Sequence, residues 1–172
     1  YLIEWEDPQL SSATASGAQP IFKNGEGAET KGLEVSVDAQ ITDRLGIGVS
    51  YAHTQAELTK LAPALTRVYV TPGFGPSGPD ALFDDGQPGD RLPGSPENQG
   101  TFNVNYSLPL DGRWGVDLSY GFTAIGDILT KTGGRGGGET LGGYTVHFAS
   151  AVMRNGPWTL GFYAQNLFDK YA

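Results

Sequence analysis

Hydrophobic and polar residues alternate one by one through several segments of the chain. In residues 102–108, Phe, Val, Tyr and Leu alternate with Asn103, Asn105 and Ser107. Residues 114–122 repeat the pattern with Trp, Val, Leu, Tyr and Phe at every second position. Because successive side chains of a β-strand point to opposite faces, each segment predicts a strand with one apolar face and one polar face.

Seven segments with this alternation are predicted as strands. They cover residues 1–9, about 28–41, 45 to about 59, 99–108, 114 to about 129, 144 to the turn at 155, and 158 onwards. Tight turns are predicted at 42–44, 109–112 and 155–157, and longer loops at 11–20, 60–96 and 130–143. Residues 52–65 stay ambiguous, because their apolar positions also fit a short helix.

Hydrophobic and polar residues also alternate along the strands of a soluble sandwich. Strand length and the order of connections favour a membrane barrel instead. Several segments exceed both the roughly 5–6 residues of a typical strand and the roughly 9–11 that cross a bilayer. Tight turns alternating with long loops are typical of outer-membrane barrels. We therefore predict an all-β, antiparallel, up-and-down transmembrane β-barrel. Its predicted lipid-facing side chains are Val35, Val37, Phe102, Val104, Tyr106, Trp114, Val116, Leu118 and Tyr120.

Aromatic residues next to the tight turns indicate one rim of this barrel. Trp114 and Trp158 directly follow tight turns, and Tyr1 begins a strand that is predicted to start at the same rim. Tyr and Trp favour the headgroup region of a membrane, although aromatic residues favour strands in general. In the sixth segment, the apolar side is assigned to Tyr144, Val146 and Phe148.

The composition agrees with a barrel wall and excludes several other classes. The apolar fraction is 38% and glycine is abundant, with 26 residues, as expected when one strand face meets lipid and the other a wet lumen. No run approaches the roughly 18 apolar residues of a membrane helix. The net charge of −8 argues against nucleic acid. Without cysteine, and with His53 and His147 far apart, we expect no metal, no cofactor and no catalysis.

Five phrases, in order and spanning nearly the whole chain, carry a family resemblance. They are YLIEWEDPQ at 1–9, NGEGAETKGLEVSVDAQ at 24–40, GVSYAHTQAEL at 48–58, GDRLPGSPENQ at 89–99 and AQNLFDKYA at 164–172. Together they resemble the carboxy-terminal part of the β-barrel of TonB-dependent receptors, the outer-membrane active transporters of Gram-negative bacteria. The resemblance implies that residues 1–172 are about seven strands of a barrel of about 22. It also implies that the plug domain, the TonB-coupling region and the final strand lie outside this sequence.

The resemblance implies transport of a scarce nutrient, such as a siderophore–iron complex, cobalamin or an oligosaccharide, through a plugged barrel energised by TonB. Cationic and aromatic loop residues are suited to hold an anionic, aromatic chelate. The ligand-binding candidates are Arg67, Tyr69, Phe74, Phe83, Arg91, Lys131 and Arg135. The predicted loop at 60–96 also contains acidic residues, which weaken the case for an anionic ligand. They are Asp80, Asp84, Asp85 and Asp90.

Acidic residues at the polar positions of the alternating strands are predicted to face the lumen and the plug. They are Glu4, Glu6, Glu34, Asp38 and Asp117. No Lys or Arg is assigned to this parity in the regular strand cores, and carboxylates in a confined space need water or a cationic partner. We expect either hydration or a basic surface of the plug to satisfy them. The predicted partners are outer-membrane lipid, the plug, the TonB complex and a small ligand.

Two other functions are compatible with the alternation. A passive porin-type channel shares the barrel, and a plug domain upstream is what distinguishes a receptor from it. A soluble β-sandwich that binds carbohydrate would place the apolar faces in a core and use Trp and Tyr to stack on sugars. Extraction into detergent rather than buffer separates the barrels from the sandwich.

Overall fold

Strands make up nearly all the regular structure of the chain. The computed structural model describes residues 1–13, 20–68 and 82–170. Its strands are β1 (Leu2–Glu6), β2 (Gln9–Ala13), β3 (Pro20–Asn24), β4 (Gly27–Thr42), β5 (Leu45–Leu58), β6 (Ala62–Arg67), β7 (Phe83–Gly86), β8 (Asn98–Pro109), β9 (Trp114–Ile125), β10 (Ile128–Leu129), β11 (Thr140–Leu141), β12 (Tyr144–Asn155) and β13 (Trp158–Gln165). A 3-10 turn at Thr132–Gly134 is the one helical element in these ranges. No helix within them has the length and hydropathy needed to cross a membrane.

Seven of the strands form one antiparallel sheet with the order β1-β4-β5-β8-β9-β12-β13. The other six form three separate hairpins, β2–β3, β6–β7 and β10–β11, within the segments that join the sheet strands. Each sheet strand pairs with the next sheet strand along the chain, which is the up-and-down connection predicted from the sequence. The all-β antiparallel fold is therefore confirmed, and the described strands form an open sheet.

The predicted and observed strand bounds agree most closely where the alternation is strongest. β4, β5, β8 and β9 each begin within one residue of the predicted position. β1 is shorter than predicted and ends at Glu6, because Asp7 turns the chain with a φ of 49°. The ambiguous residues 52–65 are extended and divide between β5 and β6. The hairpins within the predicted loops were missed, because their strands are short and lack a regular alternation.

The contacts divide the chain into two compact units. Unit 1 comprises Tyr1–Leu33, Thr54–Glu97 and Asp127–Gly142, and unit 2 comprises Glu34–His53, Asn98–Gly126 and Gly143–Ala172. Unit 1 contains a small hydrophobic core formed by Leu10, Ala28, Leu58, Ala62 and Leu65. Every buried hydrophobic side chain of the described residues belongs to this core. In unit 2 many large apolar side chains are exposed, as expected for a barrel wall rather than for the core of a soluble sandwich.

The register of unit 2 collects the predicted lipid-facing side chains on one side of the sheet, which we call the apolar face. Phe102 pairs with Phe122, Val104 with Tyr120, and Tyr106 with Leu118. The rings of Phe102 and Phe122 stack with their centroids 5.5 Å apart. Large side chains of this face are exposed, among them Val35, Val37, Tyr106, Trp114, Leu118 and Tyr120. The contact of this face with lipid stays a prediction.

The opposite side of unit 2, which we call the polar face, differs from the prediction in β12. Phe148 pairs with Gly121, which in turn pairs with Asn103, so Phe148 belongs to the polar face. Its ring covers Gly121 closely, since a Cβ at that glycine would lie 2.5 Å from Phe148 Cζ. Tyr144 and Val146 share this parity. The prediction that Tyr144, Val146 and Phe148 lie on the apolar face is therefore wrong.

The same register puts the odd residues of β12 on the apolar face. His147 pairs with Phe122 there, and its Nδ1 lies 2.8 Å from the hydroxyl of Tyr120. Phe168 packs edge-on against the His147 ring at a centroid distance of 4.8 Å. His147 thus has polar and aromatic neighbours within unit 2.

The strand register of unit 1 corrects the assignment of β1. Glu4 pairs with Glu29 and Glu6 with Gly27, and both partners have the parity of Leu33 along β4. Because Glu34 and Asp38 have the other parity, Glu4 and Glu6 do not share a face with them, as the sequence analysis had assumed. The amino group of Tyr1 donates to the Gly32 carbonyl, far along β4 from its tight turn at Thr42. Tyr1 is therefore not at the rim with the tight turns.

Candidate functional site

The loop segments of unit 1 are held together by side-chain bonds to backbone carbonyls. Ser12 Oγ of β2 donates to the Leu65 carbonyl of β6 at 2.5 Å. Lys23 Nζ of β3 donates to the Ala64 carbonyl at 2.6 Å and lies 4.8 Å from the centre of the Phe83 ring. Since these bonds join the hairpins β2–β3 and β6–β7, the two hairpins form one polar surface.

Asp90 and Arg135 form an ion pair between two loop segments, which we call the loop clasp. Arg135 Nη2 donates to Asp90 Oδ1 at 2.8 Å, and Arg135 Nε donates to Oδ2. The Gln87 amide also donates to Oδ2, at 2.7 Å. Burial disfavours the Asp90 carboxylate, but the bonds from Arg135 and Gln87 and the Arg135 charge outweigh burial, so the pKa of Asp90 lies below its usual value.

Arg91 is bound within the structure by a second set of contacts. Its Nη1 donates to Asp127 Oδ2 at 2.7 Å, and its Nη2 donates to the carbonyls of Ser95 and Asp127. The hydrogen bond from Arg91 lowers the pKa of Asp127 against a smaller opposing effect of desolvation. Arg91 and Arg135, both ligand candidates in the sequence analysis, therefore hold loops together, and their charges are balanced by neighbouring carboxylates.

Lys131 lies beside the loop clasp and is partly buried. Its Nζ donates to the Gly136 carbonyl at 2.7 Å and to the Arg67 carbonyl at 3.2 Å. The Gly136 amide donates to Asp84 Oδ2 at 2.9 Å. Burial lowers the pKa of Lys131, while the charge of Asp84 acts in the opposite direction. A buried ammonium of this kind is stabilised by any further anion that approaches it.

A pocket of about 200 Å³ opens at this place, and we call it the loop pocket. Two ligand candidates, Arg67 and Lys131, line it. Arg67 is only 4% exposed. The other lining residues, mostly small and hydroxyl-bearing, are Ser11, Ser12, Ala13, Thr66, Pro93, Thr130 and Thr132. The guanidinium of Arg67 and the ammonium of Lys131, together with the neighbouring hydroxyl donors, make a site suited to an anionic group.

The structure thus brings together part of the predicted ligand set. Arg67 and Lys131 meet in the loop pocket, whereas Phe83 lies under Lys23 and does not line it. Tyr69 and Phe74 lie outside the described residues. The hydroxyl residues were not predicted from the sequence, because Ser and Thr are common in loops for many reasons. The one usable signal was the triplet Thr130-Lys131-Thr132, in which two hydroxyl side chains flank the lysine.

The polar face of unit 2 has a hydrogen-bonded network of its own. Ser119 Oγ donates to Asn105 Oδ1, and Ser107 Oγ donates to Asp117 Oδ1, both at 2.8 Å. Arg154 forms an ion pair with Asp117. The expectation that no Lys or Arg lies on this parity is therefore wrong, because the register of β12 puts Arg154 opposite Gly115 and beside Asp117.

Comparison with protein-family models gave a match over nearly the whole chain. A family model described as "TonB dependent receptor-like, beta-barrel" matches residues 1–167. The chain belongs to this TonB-dependent receptor family. Receptors of the family are embedded in the outer membrane, serve transport, and in general contain a plug and interact with TonB; the family is not a class of enzymes. Comparison with curated proteins gave no match.

In the receptor, replacing Asp90 by asparagine is expected to loosen the loop clasp. The Asp90 side chain is 11% exposed, and losing its charge-assisted bonds should cost about 1–2 kcal/mol locally. Hydrogen exchange of residues 87–92 and 132–138 in the full-length receptor should become about tenfold faster. Glu139→Gln, a change at an exposed acidic residue of the same segment, should leave the exchange rates unchanged.

The loop clasp also makes a pH dependence predictable. Because the folded pKa of Asp90 lies below its usual value of 3.8, the clasp stabilises the loops above that value and loses this effect as the pH falls through the lowered pKa. Exchange rates corrected for intrinsic chemistry should therefore rise on acidification in the wild type and much less in Asp90→Asn. Parallel pH profiles for the two proteins would contradict the role of the clasp.

Proposed function

We propose that this chain forms wall and extracellular loops of an outer-membrane receptor that imports a small nutrient bearing an anionic group. The family membership and the loop pocket with Arg67 and Lys131 support the proposal. Among the nutrients considered, a ferric siderophore with carboxylate or other anionic donor groups fits this chemistry best. An oligosaccharide fits less well, because none of the residues that line the loop pocket is aromatic.

The electrostatics of the loop pocket favour an anionic group over a neutral one. A guanidinium as buried as that of Arg67 carries a desolvation penalty. Burial also disfavours the charged form of Lys131 and lowers its pKa. A bound carboxylate or phosphate would stabilise both cations further by charge-assisted hydrogen bonds, whereas a neutral sugar hydroxyl would do so much less.

The size of the loop pocket limits which part of the ligand it takes. A volume of about 200 Å³ is below the roughly 300–1,000 Å³ of sites that enclose a whole small molecule. We therefore assign the loop pocket to one anionic substituent of the ligand. The remainder of the ligand would contact neighbouring loops and the plug.

Transport is proposed to follow the plan of the family. The ligand would bind at the loops, and energy delivered through TonB would move the plug. The polar face of unit 2 is proposed to face the lumen, with Glu34 and Asp38 directed towards the plug. Asp117 already has Arg154 as its cationic neighbour, so it does not require a basic plug surface.

The test uses the full-length receptor in a strain that lacks its own copy. Binding and uptake would be measured with three radiolabelled probes: a carboxylate siderophore loaded with ferric iron, cobalamin and a maltodextrin. Lys131→Gln should weaken binding of the anionic probe about tenfold or more, the effect of losing one charge-assisted hydrogen bond. Lys23→Gln is the matched control, because Lys23 also donates to a backbone carbonyl but does not line the loop pocket.

Three outcomes would count against the proposal. Equal binding by the Lys131 and Lys23 variants would remove the loop pocket from ligand recognition. Tight binding of the maltodextrin alone would replace the anionic substrate class with a neutral one. Uptake that continues without TonB and after an uncoupler is added would indicate a passive channel.

A further inference from the structure

A broad groove crosses the apolar face of unit 2 at the ends of the strands that lie away from Trp114 and Trp158. Its volume is about 760 Å³, and its surface is mainly apolar. The lining residues on the apolar face come from four neighbouring strands and their ends, and they are Val49, Tyr51, Asn98, Gly100, Phe102, Phe122, Ala124, Gly126, Gly143 and Thr145. The groove is confined to the strand ends around Gly100 and Ala124.

The floor and walls of this groove follow from the register. Gly100 pairs with Ala124 and with Tyr51, so two small residues lie side by side next to a large ring. The Tyr51 ring is held in place by its hydroxyl, which donates to Asn98 Oδ1 of β8 at 2.6 Å. The stacked rings of Phe102 and Phe122 close the end of the groove nearer to the middle of the strands.

The position of the groove along the strands matches a membrane boundary. Trp114 begins β9 at the tight-turn rim, and Ala124 is ten residues further along the same strand. Ten residues of a strand span about 33 Å, which at a tilt of about 40° is about 25 Å along the barrel axis, the height of the apolar band of an outer-membrane barrel. The groove therefore lies where acyl chains meet headgroups on the side away from the tight turns.

Lys170 gives the groove a cationic edge. It is the one charged residue among those that line the groove. The Lys170 amide and carbonyl are bonded to the Asn166 side chain at 2.9 and 3.2 Å, respectively, which fixes the backbone next to the groove. An apolar channel with an ammonium at its edge is complementary to an acyl chain that ends in a phosphate.

We infer that this groove binds one acyl chain of a phosphate-bearing membrane lipid, with the phosphate at Lys170. The groove is continuous with the apolar face, which favours a lipid over a protein partner. Lipid tails gain no hydrophobic free energy by moving from bilayer to groove, so the preference rests on packing and on the charge of Lys170. The expected enrichment of lipid in the groove is therefore modest and must be measured locally.

The test is local photo-crosslinking on the full-length receptor in vesicles. The vesicles contain equal amounts of phosphatidylglycerol and phosphatidylcholine, and a trace of phosphatidylglycerol with a diazirine in one acyl chain. Crosslinked peptides are identified by mass spectrometry, and gel mobility before and after heating reports that each variant is folded. The wild type should show crosslinks concentrated in residues 98–102 and 122–126, several-fold above those around Leu118.

Two variants within the groove and one control outside it test whether the groove binds lipid. Ala124→Phe fills the floor of the groove and should reduce the groove crosslinks about fivefold, to the level of the surrounding wall. Ala149→Phe adds the same ring to the apolar face outside the groove and should leave them unchanged. Lys170→Gln should reduce groove crosslinking by phosphatidylglycerol about threefold, the effect of one exposed ion pair.

The inference is overturned by any of three results. Crosslinks spread evenly over the apolar face would show that the groove binds no lipid in particular. Unchanged groove crosslinks in both Ala124→Phe and Lys170→Gln would show that neither the shape nor the charge matters. A reduction of the groove crosslinks in Ala149→Phe as large as that in Ala124→Phe would show that a ring anywhere on the apolar face has this effect.

Discussion

Leu118→Arg should destabilise the folded receptor by about 2–4 kcal/mol, the cost of an arginine on the lipid side near the middle of a barrel wall. Leu118 lies on the apolar face between Tyr106 and Ala151, four residues beyond Trp114 at the tight-turn rim. Ser119→Arg changes the neighbouring residue on the polar face, where the longer side chain can remain hydrated. Its cost should stay within about 1 kcal/mol, the loss of the hydrogen bond to Asn105.

The comparison of these two variants decides which face of unit 2 meets hydrocarbon. Folding into vesicles at increasing urea concentration gives the free energy of unfolding for each variant. Because the two positions are adjacent on one strand, differences in backbone and depth largely cancel. A larger loss of unfolding free energy for Ser119→Arg than for Leu118→Arg would show that the polar face meets the hydrocarbon. The proposed lumen and the lipid groove would then both be contradicted.

Leu58→Ala should destabilise the loops of unit 1 by about 2–5 kcal/mol, the usual cost of truncating a fully buried leucine. Leu58 is 1% exposed. It packs closely beside β7, where a Cβ on Gly86 would lie 2.6 Å from Leu58 Cδ1. The cavity left by the change would remove contacts that hold β6 and β7 in place, and the loop pocket depends on Arg67 of β6.

Hydrogen exchange of residues 62–67 and 83–86 measures this effect, together with affinity for the anionic probe. In Leu58→Ala the exchange should become much faster and the affinity should fall strongly, whereas the folded wall should still resist unfolding by detergent. Leu61→Ala is the control, since Leu61 is 46% exposed and its truncation should cost less than about 0.5 kcal/mol. Equal effects of the two changes would show that the core of unit 1 does not support the loops.

The alternation of the sequence was sufficient for the strands that have a clear periodicity. β8 and β9 were predicted with their faces and their connecting turn, and the turn forms with Gly112 at a φ of 78°. The interpretation of the alternation is wrong in β12, where it places Tyr144 and Phe148 on the apolar side. An aromatic ring on the polar face is stable there because Gly121 on the neighbouring strand leaves space for it.

The error in β12 had a consequence for the predicted charges. Arg154 has the parity of Tyr144 and Phe148 along β12, so the predicted faces left Asp117 without a cation. The register reverses this, because pairing with β9 puts Arg154 next to Asp117. A similar error in β1 arose because its pairing with β4 puts Glu4 opposite Glu29, and a short strand read alone gives no information on the face of its partner.

The sequence by itself determined the strand class, the up-and-down order and the family, because period-two alternation and turn residues are local signals that each segment carries alone. Only the tertiary structure decided which parity of β1 and β12 joins which face, since a face is defined by pairing with a neighbouring strand. It also decided that Arg91 and Arg135 hold loops while Arg67 and Lys131 line a pocket. Charges in a loop have no periodicity, so their partners depend on contacts between segments that are distant in the chain.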